Sequence, residues 1–406
     1  MRPEAHASAA ITILDLILEG LPINKVLLNW FRSNRFAGSK DRQKIKNLVF
    51  DSLRFKSSIH WGFGLRGLPQ DGRALVLGIL YKKEYNLNEI FNGNLYGPKK
   101  ITEIESNVLL NMEGSLLNAP DHIKLDFPHF LNTILKESLQ EDFEVTLKSL
   151  QQRAEVFIRV NALKSDLETA KNKLLKEHIQ VEHCKESELA LRVVDKANLI
   201  SKSKAFQEGD IEIQDLTSQL VIDFVKPSPG LKVLDFCAGG GGKTLALASL
   251  MSGKGRIFLH DKDHNRIKMA RKRMKRAGVS GEIISSNGLG LGNVDADLVL
   301  VDAPCSGTGV WRRNPGSKWW LNENRIKNIL DSQRKILLDA SACVKNGGKL
   351  AYITCSILNV ENEKQVNWFL KTKKNFYLEN EKKFSPLTFS DGFYVAILRK
   401  RKSSSL

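Results

Sequence analysis

The 406-residue chain is 42% hydrophobic and 26% charged, enough apolar material for two or three domains with sizeable cores. Its 62 Lys and Arg against 45 Asp and Glu leave a formal charge of +17, which favours a polyanionic partner, nucleic acid first, over an acidic protein or a neutral metabolite. A basic protein whose charge serves only solubility is the competing reading of charge alone. Five cysteines without Cys-x-x-Cys spacing argue against a disulfide framework or a zinc ribbon, so a reducing cytoplasm and no metal are expected. No apolar run reaches the ~18 residues of a membrane span, and Thr12 and Asp15 interrupt the apolar stretch 9–18, so an amphipathic helix is expected there and no membrane contact.

From residue 5 to about 125 apolar residues recur at helical spacing: Ala10, Ile13, Leu14, Ile17 and Leu18, then Ile45, Leu48, Val49 and Leu53. Gly20, Pro22, Gly38, Pro69 and Gly72 punctuate the run, and Asp71 is placed to cap the helix carrying Ala74, Leu75, Leu77, Gly78 and Leu80. An all-helical bundle over 1–127 follows. The pattern then predicts a helix over 130–150, a strand at 157–160, a helix over 167–176, and strands at 179–181 and 189–194, a small α/β domain over 128–210. From Leu231 strands are expected at 231–236, 255–260, 282–285, 297–302, 349–355 and 392–399. They alternate with helices that start at Gly241 and that cover 264–277, 322–344 and 360–371. Such alternation implies an α/β, Rossmann-like, mostly parallel sheet covered on both faces, over 211–406.

The glycine run Cys237, Ala238, Gly239, Gly240, Gly241, Gly242, Lys243, Thr244 lies between the first of these strands and its helix, where backbone must approach a ligand closely. A phosphate-cradling Walker loop needs a glycine where Cys237 stands, and a dinucleotide fingerprint needs a small residue where Thr244 stands. The remaining reading is an S-adenosylmethionine loop. In it Asp235 ends the strand, the glycines admit the amino-acid part of the cofactor, and Asp261 after the next strand grips ribose hydroxyls.

Asp302-Ala303-Pro304-Cys305 leaves the fourth strand and Thr354-Cys355-Ser356 the fifth, and ligands sit beyond the carboxyl ends of such strands. Neighbouring strands lie ~4.8 Å apart, so the two thiols can converge beside the cofactor. A cysteine taken singly is more often a small buried hydrophobe than a nucleophile, and Cys184 and Cys343 are read that way. The pair suits methylation of C5 of a cytosine, a poor nucleophile until a thiolate adds at C6. The C5 proton and the thiol must then leave, which requires a second group nearby. Asp302 is assigned to the N3 edge of the base, where it donates or shares a proton.

These motifs resemble the Sun-type family of RNA cytosine-5 methyltransferases, its bacterial ribosomal RNA branch. Cys237 to Thr244 is similar to the family's first motif; Asp302 to Cys305, with Ser306-Gly307-Thr308-Gly309, Arg312-Arg313-Asn314-Pro315 and Lys318-Trp319, matches a second; Thr354 to Ser356 matches a third; and Gln214 to Gln219 matches the lead-in. The resemblance implies Cys355 as nucleophile and Cys305 as the group assisting release of the adduct, roles the chemistry alone leaves open. It also implies that residues 237–243, Asp261, Asn287 and Asp302 line the S-adenosylmethionine pocket. Gly240 stands where the family has proline, and Asn287 where it has aspartate. Phe36 to Arg42, with Arg54 and Lys56, resembles a NusB-like RNA-binding extension.

The expected activity is a monomeric enzyme forming 5-methylcytosine in small-subunit ribosomal RNA. A transfer RNA cytosine-5 methyltransferase and a non-catalytic RNA-binding assembly factor are the alternatives, the latter disfavoured because binding needs neither thiol. Basic residues in 266–276 and Arg312, Arg313 and Lys318 are candidate phosphate contacts, with Trp319 or Trp320 for stacking. For the 266–276 helix a solvated basic face is an equal reading.

Overall fold

Helical periodicity in the N-terminal third becomes five main helices, α1 (Pro3–Leu18), α2 (Ile23–Ser33), α3 (Ser39–Arg54), α4 (Lys56–Gly64) and α5 (Gly72–Lys82), followed by shorter helical segments. The computed structural model describes residues 1–284, 291, 294–387 and 390–402. The apolar stripes meet in one core: Ala10, Ile13 and Leu14 of α1, Ile45, Val49 and Leu53 of α3, and Leu75, Leu77 and Ile79 of α5 are all buried. Asp71 caps α5 as expected, accepting from the Ala74 N–H at 2.8 Å. The compact unit containing these helices is Met1–Thr133 together with Trp311–Asn322, a segment far downstream in the chain.

That downstream segment corrects one expectation. Arg312 and Lys318 do not offer their charges to solvent: both are buried. Lys318 Nζ donates to the Arg54 carbonyl at 3.0 Å, Arg54 Nη2 donates to the Arg312 carbonyl at 3.0 Å, and Trp319 Nε1 donates to the Leu53 carbonyl at 2.7 Å. The C-terminal end of α3 leaves carbonyls without intrahelical partners; Lys318 and the Trp319 indole donate to two of them, while the Arg54 guanidinium holds the Arg312 carbonyl in return. Burial pushes Lys318 down, against the opposing charge of Asp126, which is itself buried and held by the Ser58 N–H and hydroxyl at 2.9 and 2.8 Å.

The second unit is Ile134–Val310 with Glu323–Leu406. The helix expected over 130–150 is broken into Asn132–Leu139 and Phe143–Leu150, with Gln140 between them at φ 50°. Next comes a four-stranded antiparallel sheet of order β2-β3-β1-β4, from β1 (Val156–Val160), β2 (Val181–His183), β3 (Ala190–Val193) and β4 (Ile211–Ile213). Helix α6 (Leu167–Lys176) packs Ala170 and Leu174 into the same small core as Ile158 and Leu191.

After α7 (Leu216–Val225) the main sheet begins. It comprises β5 (Lys232–Asp235), β6 (Arg256–Leu259), β7 (Glu282–Ile283), β8 (Ala296–Asp302), β9 (Val344–Thr354), β10 (Phe376–Phe384) and β11 (Phe393–Lys400), in the order β10-β11-β9-β8-β5-β6-β7. Strands β5 to β9 pair in parallel, while β11 and β10 are antiparallel additions at one edge. Alternation sorts the side chains: Leu298, Leu300, Ala351 and Ile353 face one core, Val299, Val301, Leu350 and Tyr352 the other. Helices α7, α8 (Gly242–Leu250) and α9 (His264–Ala277) cover the first face, α10 (Glu323–Ala342) and α11 (Glu363–Thr372) the second. Strand β9 begins at Val344, where the sequence suggested helix, and β10 was not foreseen at all. Among the described residues no helix is long and apolar enough to cross a membrane.

Lys318→Ala removes a buried cation together with its hydrogen bond to the Arg54 carbonyl and its attraction to the buried Asp126, so a loss of about 3 kcal/mol is expected. Thermal melting of the full chain checks this, and an unchanged melting temperature would contradict the burial described here.

Candidate active site

Strand β5 ends on Asp235, and the chain turns sharply through the glycine run before α8. Gly239 and Gly241 sit at φ 53° and 78°, the left-handed region, and a Cβ on Gly241 would lie 3.1 Å from the Ala270 Cβ of α9. Asp261, just beyond β6, accepts the Gly239 N–H at 2.8 Å through one oxygen and the Asp263 N–H at 2.8 Å through the other. Arg273 of α9 donates to the Gly240 carbonyl at 2.9 Å and is itself held at 3.0 Å by Glu212 of β4, a buried carboxylate that also pairs with Arg276. Gly240 replaces the family proline, and Arg273 secures the turn at that residue. Ala238 is fixed by its N–H to the His260 carbonyl at 2.9 Å, and the Gly242 carbonyl lies 3.5 Å from Gln214 Nε2.

Whether S-adenosylmethionine fits is tested by this loop. A Cβ on Gly239 would meet nothing within 4 Å, so the turn borders open space. Each Asp261 oxygen has accepted one backbone N–H and keeps a lone pair for a hydroxyl. A backbone cradle with a fixed carboxylate beside it suits the amino-acid and ribose parts of that cofactor. Asn287 lies outside the described residues.

The other half of the site follows β8 and β9. Their parallel register places Asp302 opposite Ile353, and the two loops that leave them bring Cys305 Sγ to 3.3 Å from Cys355 Sγ, both as free thiols. The Gly309 N–H donates to the Cys355 carbonyl at 3.0 Å, and a Cβ on Gly309 would lie 2.1 Å from the Gly392 carbonyl, so only glycine allows this approach. The hydrogen bond with Cys355 comes first, then burial and the charges of Cys355 and Glu361, in pushing the Cys305 thiol well above its ordinary value.

Lys243 connects the halves. From the first turn of α8 its Nζ reaches Asp302 Oδ2 at 2.6 Å. Burial works against its charge, yet Asp302 by charge and hydrogen bond, then Cys355 and Asp235, hold its pKa above the usual lysine value. A thiolate at Cys355 is thus met by a buried cation, a feature the sequence reading placed only in the cofactor loop. Cys237 is a different case: burial and then Asp235 push its thiol far up, so it stays neutral. Cys184 and Cys343 are buried in the apolar cores, as expected. Sequence reasoning missed Glu361, Asn362 and Gln333, which are buried beneath the two cysteine loops. The one available signal was an acid and an amide seven residues or fewer after Thr354-Cys355-Ser356.

Comparison with known proteins decides the family. A model described as 16S rRNA methyltransferase RsmB/F matches residues 222–402, and one described as the RsmF/B-like ferredoxin-like domain matches residues 127–199. The chain belongs to the RsmB/F family. This RsmB/F-family chain is 28% identical over 396 residues to ribosomal RNA small subunit methyltransferase B of Photorhabdus laumondii, covering 89% of this chain and 91% of the relative. It is 31% identical to the probable ribosomal RNA small subunit methyltransferase B of Bacillus subtilis, over 60% of this chain and 59% of that one. Among solved structures, a methyltransferase homolog protein from Pyrococcus horikoshii is similar at 26% identity and a TM-score of 0.60, covering 69% of this chain and 97% of that one. The RsmB/F fold assigned here is thus that of a Rossmann-like methyltransferase.

Asp235 gives the site a pH signature. Burial first, then the charges of Asp302 and Asp261, raise it to about 7 from 3.8, against the Thr244 hydroxyl and Lys243, and its Oδ1 has no hydrogen-bond partner among the described residues. A folded-state value above the unfolded one means the native state holds the proton more tightly. Its contribution to stability is complete below pH 3.8 and is lost as pH rises through about 7. Asp235→Asn, neutral throughout, is expected to gain on the wild type across that window by on the order of 3 kcal/mol. Denaturant melts at pH 4 and pH 8 check this, and parallel pH profiles for the two proteins would contradict it.

Proposed function

We propose that this chain is an S-adenosylmethionine-dependent methyltransferase that forms 5-methylcytosine in small-subunit ribosomal RNA through a cysteine adduct at C6. The observation that carries the reading is the 3.3 Å approach of the Cys305 and Cys355 sulfurs beside the Lys243–Asp302 pair. Family membership and the names of the relatives support ribosomal RNA as the substrate, and the +17 charge suits a polyanion. Residues 237–243 and Asp261 are the proposed cofactor contacts.

When bound, S-adenosylmethionine supplies an electrophilic methyl group. The chain's own residues make the base ready to receive it. Cys355 Sγ, as thiolate facing the Lys243 cation, forms a bond to C6, and the C5–C6 π pair moves into the ring. The Lys243–Asp302 pair meets the negative charge at N3 with a shared proton, which leaves C5 nucleophilic enough to take the methyl. The C5 proton and the Cys355 sulfur then leave in a β-elimination that restores the double bond. Cys305, at 3.3 Å, passes its thiol proton to the departing sulfur and accepts the C5 proton in its place. Two thiols are needed because one group cannot be both leaving group and proton carrier.

Incubation with labelled S-adenosylmethionine and small-subunit ribosomal RNA, followed by mapping of 5-methylcytosine, tests the reading. Cys355→Ala is expected to lower methyl transfer by at least about 10³-fold. Cys305→Ala is expected to accumulate a protein–RNA adduct that survives a denaturing gel. Methylation that persists without the Cys355 thiol would falsify the nucleophile assignment.

A further inference from the structure

Beneath the thiols lies a carboxylate to which neither the fold nor the chemistry above assigns a task. Glu361 is completely buried, in the turn between β9 and α11. Its Oε2 accepts the Ser306 N–H at 2.8 Å and the Gln333 amide at 3.0 Å. Its Oε1 accepts the Ser306 hydroxyl and, at 2.5 Å, the Ser356 hydroxyl. Ser306 follows Cys305 and Ser356 follows Cys355, so one side chain holds the residue next to each thiol. Among the described residues these partners are neutral donors, and each of its oxygens receives two.

Neighbouring contacts tie the same two loops. The Ser356 hydroxyl lies 3.0 Å from Thr308 Oγ1, which accepts the Ile357 N–H at 3.0 Å, and Asn362 donates to the Ser356 carbonyl at 2.9 Å while accepting the Thr354 hydroxyl at 2.6 Å. The Tyr352 hydroxyl fixes the Glu361 backbone through its carbonyl at 2.7 Å. Loops are the least constrained parts of an α/β sheet, and chemistry that needs two sulfurs at adjacent atoms of one ring tolerates little drift between them.

We infer that Glu361 is a positioning residue, a buried brace between the two cysteine loops that sets the spacing of the thiols. The inference rests on the assignment of Cys305 and Cys355 made under Proposed function. It predicts which changes the brace tolerates. Glutamine has the same length: its carbonyl can take the Ser306 N–H and the Gln333 amide, and the two serine hydroxyls can rotate to accept from its NH₂. Alanine reaches neither loop.

The test uses the full chain and phenylarsine oxide, which captures two thiols only when they lie close together. Wild type and Glu361→Gln are expected to bind one equivalent across Cys305 and Cys355. Glu361→Ala is expected to lose that capture at least tenfold, while iodoacetamide still labels each cysteine. With RNA, Glu361→Ala should lose at least tenfold in kcat with KM for RNA within twofold, and adduct should build up relative to turnover. A merely destabilising change would lower the active fraction and leave the adduct-to-turnover ratio and the capture per folded molecule unchanged. That result, or equal loss in folded Glu361→Gln, overturns the inference. Should Glu361→Ala not fold, the double variant Ser306→Ala with Ser356→Ala strips the hydroxyl donors from Oε1, and full arsenical capture by it also overturns the inference. Capture needs no RNA, so an intact dithiol without methylation sinks the proposed reaction and spares the brace.

Discussion

The site depends on the register of two parallel strands. Asp302 on β8 lies opposite Ile353 on β9, so the chain reaches Cys305 three residues past that level and Cys355 two residues past it. A slip of one residue would turn Leu350 and Tyr352 to the opposite face and exchange the two cores, so both faces oppose it. The packing that stabilises the sheet therefore also fixes the level from which both cysteine loops start. Gly309, pressed against the Gly392 carbonyl, closes the remaining gap.

On that frame the electrostatics concentrate around one lysine. Asp235, Asp261 and Asp302 end or follow neighbouring strands of the sheet, and the charges of Asp302 and Asp261 raise the proton affinity of Asp235. Lys243 answers from the first turn of α8, bonded to Asp302 and facing Cys355. The acids are handled in three ways: Asp302 by an ion pair, Asp261 by two backbone N–H groups, and Asp235 by a single hydroxyl together with a raised affinity for its proton. Each anion thus meets a different compensation within a short stretch of the sheet edge.

Much of this was legible from residue order, because the relevant signals are local. The apolar strands of the central sheet, the glycine turn, the Asp71 cap and the two cysteines at strand ends all follow from short-range pattern. What escaped has a non-local cause. Strand β10, Phe-Tyr-Leu-Glu-Asn-Glu-Lys-Lys-Phe, is mostly exposed at the sheet edge and carries no apolar run; only pairing with β11 makes it a strand. Lys318 and Arg312 look like surface cations, and the carbonyl that receives Lys318 lies 264 positions earlier in the chain. Glu361 reads as one more acid near a helix start, since its donors come from loops 55 and 5 residues away and a third from α10.

The assignment of Trp311–Asn322 to the N-terminal unit bears on how the chain is born. Synthesis delivers the first 133 residues early, but the piece that fills in around Leu53 and Arg54 arrives only after residues 134–310 have been made. At translation speeds of about 5–20 residues per second the delay is roughly 9 to 35 s. For that interval the nascent helices lack the indole and the ammonium that occupy their α3 end. On the ribosome this unit is a shell awaiting its last stave.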